Sequence, residues 1–257
     1  MSYRGIDVSK WQGDINWKKV KQAGIQFAIL RAVSTNDKGL YIDPYFEANY
    51  KEAKEQGVPV GAYFYSYATT IPALDIELEK LKEALDGKTF EYPIIIDVED
   101  QCQKKLSKDA LSELVAYACE KLESWGAYAM FYTYLNFTQT ELNMNKLSEY
   151  DFWLACYRAN RPAKPIHGIW QYSSSGKVNG ISGNVDMNIS YKDYPTIIKN
   201  AGLNDFTKGK KKTIATLANE CIAGLWGNGK TREKRLTQAG YSYDKVQDKV
   251  NELLGIK

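Results

Sequence analysis

Two rhythms of apolar residues alternate along the first 200 positions of the chain. Short runs rich in β-branched and aromatic residues predict strands: YRGIDVS (3–9), QFAILRAV (26–33), VPVGAYFYSY (58–67), YPIIIDVE (92–99), AYAMFYTY (127–134) and DFWLACY (151–157). Segments with helical spacing separate the first five. One, NWKKVKQAG, has Asn16 placed as an N-cap and Gly24 as a stop, and another begins at Pro44 and stops at Gly57. A third starts at Ser107 and sets Leu111, Leu114, Val115, Ala118, Leu122 and Trp125 on one face before Gly126. Strand, helix, strand in succession means parallel strands with right-handed crossovers, in an open doubly wound sheet or a closed barrel. No GxGxxG follows the first strand and no phosphate-binding loop occurs, which favours the barrel.

After residue 157 GIWQYSS and GNVDMN read as short strands with no long helix between them. The expectation is an α/β protein with an irregular (β/α) TIM-like barrel over residues 1–199. Residues 200–212, polar and then basic with two glycines, read as a linker. Residues 213–257 carry three short helical patterns, the last two capped by Thr231 and Ser242, and predict a small three-helix bundle.

Charge supports this division. Residues 203–257 contain 11 Lys and Arg against 6 Asp and Glu, whereas residues 1–202 are near neutral. At 44% hydrophobic and 25% charged residues the composition is that of a soluble globular protein. No signal peptide or membrane span is expected, and neither nucleic acid nor membrane insertion is expected among its partners. Cys102, Cys119, Cys156 and Cys221 lie far apart, and His167 is the one histidine. That scarcity argues against a zinc site and against Ser/His or Cys/His hydrolysis, so no metal and no cofactor are expected.

The run PIIIDVED (93–100) places acids at the end of an otherwise apolar strand. Side chains two apart share a strand face, so Asp97 and Glu99 pair, about 6–7 Å apart at Cα, while Asp100 lies off that face as a turn residue. Asp7 ends the first strand and Asp186 is read as ending the last, so four carboxylates would meet at one mouth of a closed barrel. Such a cluster raises the proton affinity of its members. It can serve glycosidic cleavage, with one acid protonated and a second carboxylate charged. The alternatives are a divalent cation site and plain turn capping. Tyr63, Tyr65, Tyr67, Tyr132, Tyr134, Trp153, Tyr157, Trp170 and Tyr172 fall on or just after predicted strands, a supply of aromatic faces suited to a sugar groove.

GIDVSKWQGDINW, PIIIDVED, FYTY, FWLACY, GIWQYSS and GNVDMN, in this order, resemble the glycoside hydrolase family 25 lysozymes across about residues 1–198. The resemblance implies an N-acetylmuramidase of the phage endolysin or autolysin type, acting on peptidoglycan glycan strands. It implies Glu99 as the catalytic acid/base, Asp97 as the charged partner that orients the acetamido group in a substrate-assisted, retaining route, and Asp7 and Asp186 as tuning and positioning groups. It implies Tyr63, Tyr132, Trp153, Tyr157, Trp170 and Gln171 as groove residues, with Arg31 where many members have lysine; Tyr65, on the strand of Tyr63, is a further substrate-binding candidate. Residues 213–254 resemble the CW_7 cell-wall-binding repeat, implying a module that binds muropeptide; Trp226, Arg232, Arg235 and Tyr241 are its candidate contacts. A chitinase-like barrel is the rival enzyme, but Tyr92 and Ile95 stand where its DxxDxDxE run needs acids; a catalytically inactive wall-binding protein is the other rival. An endolysin would be made in the bacterial host cytoplasm and act on the wall after release.

Overall fold

The structure, a computed structural model, describes residues 2–209, 214–238 and 241–256. Its elements in chain order are β1 (Tyr3–Val8), α1 (Trp17–Gln22), β2 (Phe27–Asn36), β3 (Gly39–Ile42), α2 (Phe46–Glu55), β4 (Val60–Tyr65), α3 (Ile71–Leu85), β5 (Ile94–Asp97) and α4 (Lys108–Ser124). There follow β6 (Ala129–Tyr134), α5 (Leu135–Thr140), β7 (Asp151–Ala155), β8 (Ile169–Gly176), β9 (Val185–Ser190) and α6 (Tyr194–Ala201). The last three are α7 (Ile214–Ile222), α8 (Gly229–Gln238) and α9 (Tyr243–Leu254). The chain divides into two compact units, Met1–Thr207 and Lys208–Lys257.

In the first unit the strands run in the order β1-β9-β8-β7-β6-β5-β4-β2, and β1 pairs with β2 to close an eight-stranded barrel. Pairings from β1 through β2, β4, β5, β6 and β7 to β8 are parallel, while β9 is antiparallel to both neighbours. The β3 strand, absent from the sequence reading, folds back on the end of β2 as a ninth strand. The alternation of side chains splits each barrel strand between two apolar layers. Phe27, Ile29, Tyr63, Ile95, Met130, Tyr132, Trp153 and Ile169 fill the lumen. Their neighbours, such as Leu30, Phe64, Ile96, Phe131 and Leu154, pack outward with Leu78, Leu81, Val115 and Leu122 of the helices. Each such Leu, Ile or Phe contributes roughly 1.5–3 kcal/mol by leaving water. Gly5 has a steric reason in this arrangement: a Cβ there would stand 2.3 Å from the Phe27 ring. That ring packs where β1 lacks a side chain, two residues below Asp7.

The predicted caps form. Asn16 Oδ1 accepts from the Lys19 amide, and Ser107 accepts from the Ala110 amide at the start of α4. Part of the expected linker is instead packed structure. Asn204 is fully buried, donates to the Tyr92 carbonyl at 2.8 Å and accepts from the Tyr128 amide at 2.7 Å. Residues 200–207 therefore belong to the barrel unit, and 210–212 of the expected linker lie outside the described residues.

The second unit has Leu217, Ala218, Cys221, Leu236, Val246 and Val250 as its core. Ser242 caps α9 as expected, but Thr231 does not cap α8, which already begins at Gly229. Among the described residues no helix is long and apolar enough to cross a membrane.

Candidate active site

Four acids reach one end of the barrel by three routes. Asp7 is the fifth of six residues in β1, Asp97 the last of β5, and Glu99 lies two residues beyond that strand. Asp186 was read as ending the last strand, yet it is the second residue of β9. It still reaches the mouth because β9 runs backwards and pairs Asp186 directly with Asp7. Asp100, off the Asp97–Glu99 face, caps the short 3-10 helix Gln101–Lys105 through the Cys102 amide and accepts the Tyr65 hydroxyl at 3.3 Å.

The acids raise one another. Burial, then Asp186 and Asp100, push Glu99 up to about 7, and burial lifts Asp186 to about 6. Burial and Asp186 hold Asp7 well above the usual carboxylate range, although amides from Asn188 (2.8 Å) and Gln171 (2.9 Å) both donate to its Oδ2. Asp97 is likewise pushed well up by burial, Glu99 and Asp7, with Arg31 opposing. The simple division expected from sequence, a neutral Glu99 beside a charged Asp97, is therefore too sharp: the cluster shares its protons. Among the described residues three buried side-chain atoms lack a hydrogen-bond partner, Arg31 Nη2, Thr133 Oγ1 and one oxygen of the acid cluster. Asp97 Oδ1 is buried and has no hydrogen-bond partner.

Glutamine and asparagine side chains fix this floor. Gln171 Oε1 accepts the hydroxyls of Tyr132 (3.0 Å) and Tyr157 (2.9 Å), while its amide serves Asp7. Asn188 accepts the indole N–H of Trp153 at 2.8 Å, and Trp153 packs against Tyr132 and Tyr63 with centroids 4.5 and 6.1 Å away. Trp153 is only 1% exposed, so it supports the floor from below. Tyr63 and Tyr132 are buried beside it, Tyr65 is half-buried, and Tyr157, 57% exposed, rises from the rim.

Trp170 does not join them. It packs in the outer layer with its indole N–H on the Cys156 carbonyl at 2.8 Å, because β8 presents Ile169 and Gln171, not Trp170, to the lumen. Arg31 is buried and committed: its Nε donates to Asp43 Oδ2 at 2.8 Å and its Nη2 lies 2.7 Å away. Asp43 also accepts the Lys10 and Tyr45 amides.

Sequence reasoning missed Asn188 and Asp43. Asn188 had a signal, standing two residues after Asp186 on the same face of one strand. Asp43, in a turn before a helix, had none that separated it from an ordinary cap. His167 is a buried loop residue whose Nε2 accepts from Arg161 at 3.2 Å.

In the second unit the four candidate contacts separate. Arg232 donates to the carbonyls of Cys221 and Gly227 and to the side chains of Asn228 and Gln247. That guanidinium ties α7, the following turn and α9 together and is not a free contact, which corrects the sequence reading. Trp226 and Tyr241 meet edge to face at 6.1 Å, half-buried against the core, and Arg235 is exposed.

Comparison with known proteins gives a consistent picture. The family Glycosyl hydrolases family 25 matches residues 6–181, and the CW_7 repeat matches residues 215–254. The chain is 34% identical over 193 residues to the uncharacterized protein YegX of Escherichia coli O157:H7, covering 72% of this chain and 68% of that one. It is 26% identical over 266 residues to a lysozyme of Streptococcus phage Cp-7, covering 96% of this chain and 69% of the relative. The crystal structure of a bacterial lysozyme from Streptomyces coelicolor superposes with a TM-score of 0.67 at 26% identity, over 80% of this chain and 98% of that one.

Proposed function

Because the chain belongs to the glycosyl hydrolases family 25, we propose that it hydrolyses bacterial peptidoglycan, cutting the β-1,4 bond from N-acetylmuramic acid to N-acetylglucosamine. What supports this above all is the buried, unpaired Oδ1 of Asp97 beside a Glu99 that keeps its proton to about pH 7. A buried acceptor without a donor is costly, and a substrate N–H would satisfy it. The acetamido N–H of the sugar at the cleaved bond supplies that donor. Asp97 then holds the acetamido oxygen toward the anomeric carbon while Glu99 protonates the departing glycosidic oxygen. The acetamido oxygen closes on the anomeric carbon as the bond to the leaving sugar breaks. Water, deprotonated by Glu99, opens that ring with retention. Burial, Asp186 and Asp100 keep Glu99 protonated at rest, and Tyr63 and Tyr132 floor the sugar site.

Digestion of purified Gram-positive walls is expected to leave new reducing ends on muramic acid, read by mass spectrometry of the reduced products. Reducing ends on glucosamine would overturn the bond assignment. The CW_7 repeat of the second unit supports retention on the wall, with the exposed Arg235 as the candidate contact, since Trp226 donates its indole N–H to Glu220 at 2.8 Å and packs against Tyr241. We further propose that it is made in a bacterial host cytoplasm and acts at the wall after release.

The pH dependence follows from the sign of the shift at Glu99. The protonated form is the active acid, so kcat/KM should hold below about pH 7 and fall about tenfold per pH unit above it. Initial rates of wall clearing between pH 5 and 9 check this. A rate that stays level to pH 9 would remove Glu99 from the acid role.

A further inference from the structure

A cavity of about 440 Å³ opens beside Glu99, between the ends of β6 and β7. Tyr132, Leu135, Ala155 and Tyr157 make its surface largely apolar, and Glu99 is its one carboxyl group. It also contains a cation, Arg158, three residues past the end of β7. Arg158 is exposed, and among the described residues its guanidinium has no hydrogen-bond or ion-pair partner. This is unlike Arg232, whose guanidinium nitrogens all donate to protein acceptors, and Arg31, which is ion-paired with the buried Asp43. Nor does Arg158 serve the acid: the groups acting on Glu99 are its burial, Asp186 and Asp100. A guanidinium fork at the edge of a largely apolar cavity, and unused by the protein, is a donor set for an oxygen acceptor on the substrate.

Building on the peptidoglycan reading, we propose that Arg158 is the residue that distinguishes muramic acid from glucosamine, by donating to the carboxyl oxygens of the 3-O-lactyl group. The two sugars differ only in that ether substituent. N-acetylglucosamine has a hydroxyl where muramic acid projects two acceptors on a three-carbon arm. A ring held over Tyr132 with its glycosidic oxygen at Glu99 carries such an arm within the same cavity that holds Arg158. Either a free lactyl carboxylate or the carbonyl of its amide to a stem peptide presents this acceptor. The carboxylate gains the more, because both partners are charged.

The test uses full-length Glu99→Gln protein and calorimetric titration with two tetrasaccharides. One alternates glucosamine and muramic acid with free lactyl carboxylates, and the other is chitotetraose. Adding Arg158→Ala is expected to weaken the lactyl-bearing sugar about tenfold or more and chitotetraose less than twofold, with Arg158→Lys recovering part of the loss. Equal weakening of both sugars, or none for the lactyl-bearing one, overturns the assignment. A third titration, with the lactyl groups as methyl amides, separates the two acceptors: a smaller loss there points to the carboxylate, an equal loss to the carbonyl. With Glu99 restored, Arg158→Ala should lower kcat/KM on walls mainly through KM, and an unchanged kcat/KM also overturns the role. Failure of the unmodified protein to release muramic reducing ends strikes instead at the hydrolase reading, so the two are told apart.

Discussion

Glu99→Gln is expected to lower the rate of wall hydrolysis by a factor on the order of 10³ or more while leaving wall binding unchanged. Glutamine keeps the shape of the side chain and can still donate a hydrogen bond. It cannot hand a proton to the glycosidic oxygen or take one from water, and each of those transfers is worth about 10²–10⁴. Release of soluble glycan measures the first quantity and co-sedimentation with walls the second. More than about one hundredth of the original rate would show that another group supplies the proton. The same substitution carries an opposite effect on stability. The pKa of Glu99 is higher in the folded state than the ordinary value of 4.5, so the folded chain binds its proton more tightly than the unfolded chain does. The stability from that proton is present at low pH and is lost as pH rises through about 7. At pH 8 the glutamine variant should therefore be the more stable protein, by roughly 1–3 kcal/mol, since about 1.4 kcal/mol accompanies each pKa unit. Urea denaturation at pH 5 and 8 reads this difference, which should shrink at the lower pH.

Asp43→Ala is expected to destabilise the barrel by about 3–5 kcal/mol, the cost of leaving a buried charge without its partner. Arg31 and Asp43 have side chains only 8% and 1% exposed. Removing the carboxylate strands the Arg31 guanidinium beside the catalytic acids and frees the Lys10 and Tyr45 amides as well. Removing both charges, as Arg31→Met with Asp43→Ala, should restore a large part of the loss, because no buried ion then remains. The urea midpoint of the barrel transition measures both variants. A shift below about 1 kcal/mol in the single variant would show that water reaches Arg31 and that the pair is effectively a surface one.

The parts of the site legible in the sequence are those that local rules control. Period-2 alternation placed Asp97 and Glu99 on one face, and cap chemistry at Asn16 and Ser107 marked helix starts that the structure reproduces. Alternation could not say which face of a doubly covered strand looks inward, since both layers are apolar, and the resemblance named both Trp170 and its neighbour Gln171 as groove residues although the two lie on opposite faces. Strand direction is also absent from composition, so Asp186 was placed at the end of a strand that it in fact begins. Asn188 and Gln171 acquire their meaning from Asp7, which is 181 and 164 residues away. Arg232 looked like a free cation because two of its four acceptors are backbone carbonyls, which carry no mark in a sequence, and the other two are neutral side chains.

The reversed β9 also governs when the molecule becomes active. It is the last strand of the barrel to leave the ribosome, and it must slot between β1, the first, and β8. Until residue 190 has emerged, Asp7 lacks both Asp186 and the Asn188 amide, and β1 and β8 are open edges. A nascent or truncated chain is thus an unfinished barrel with a dispersed set of acids. Lytic activity is therefore expected only once the closing strand is in place, and a chain cut before residue 190 is expected to clear no wall.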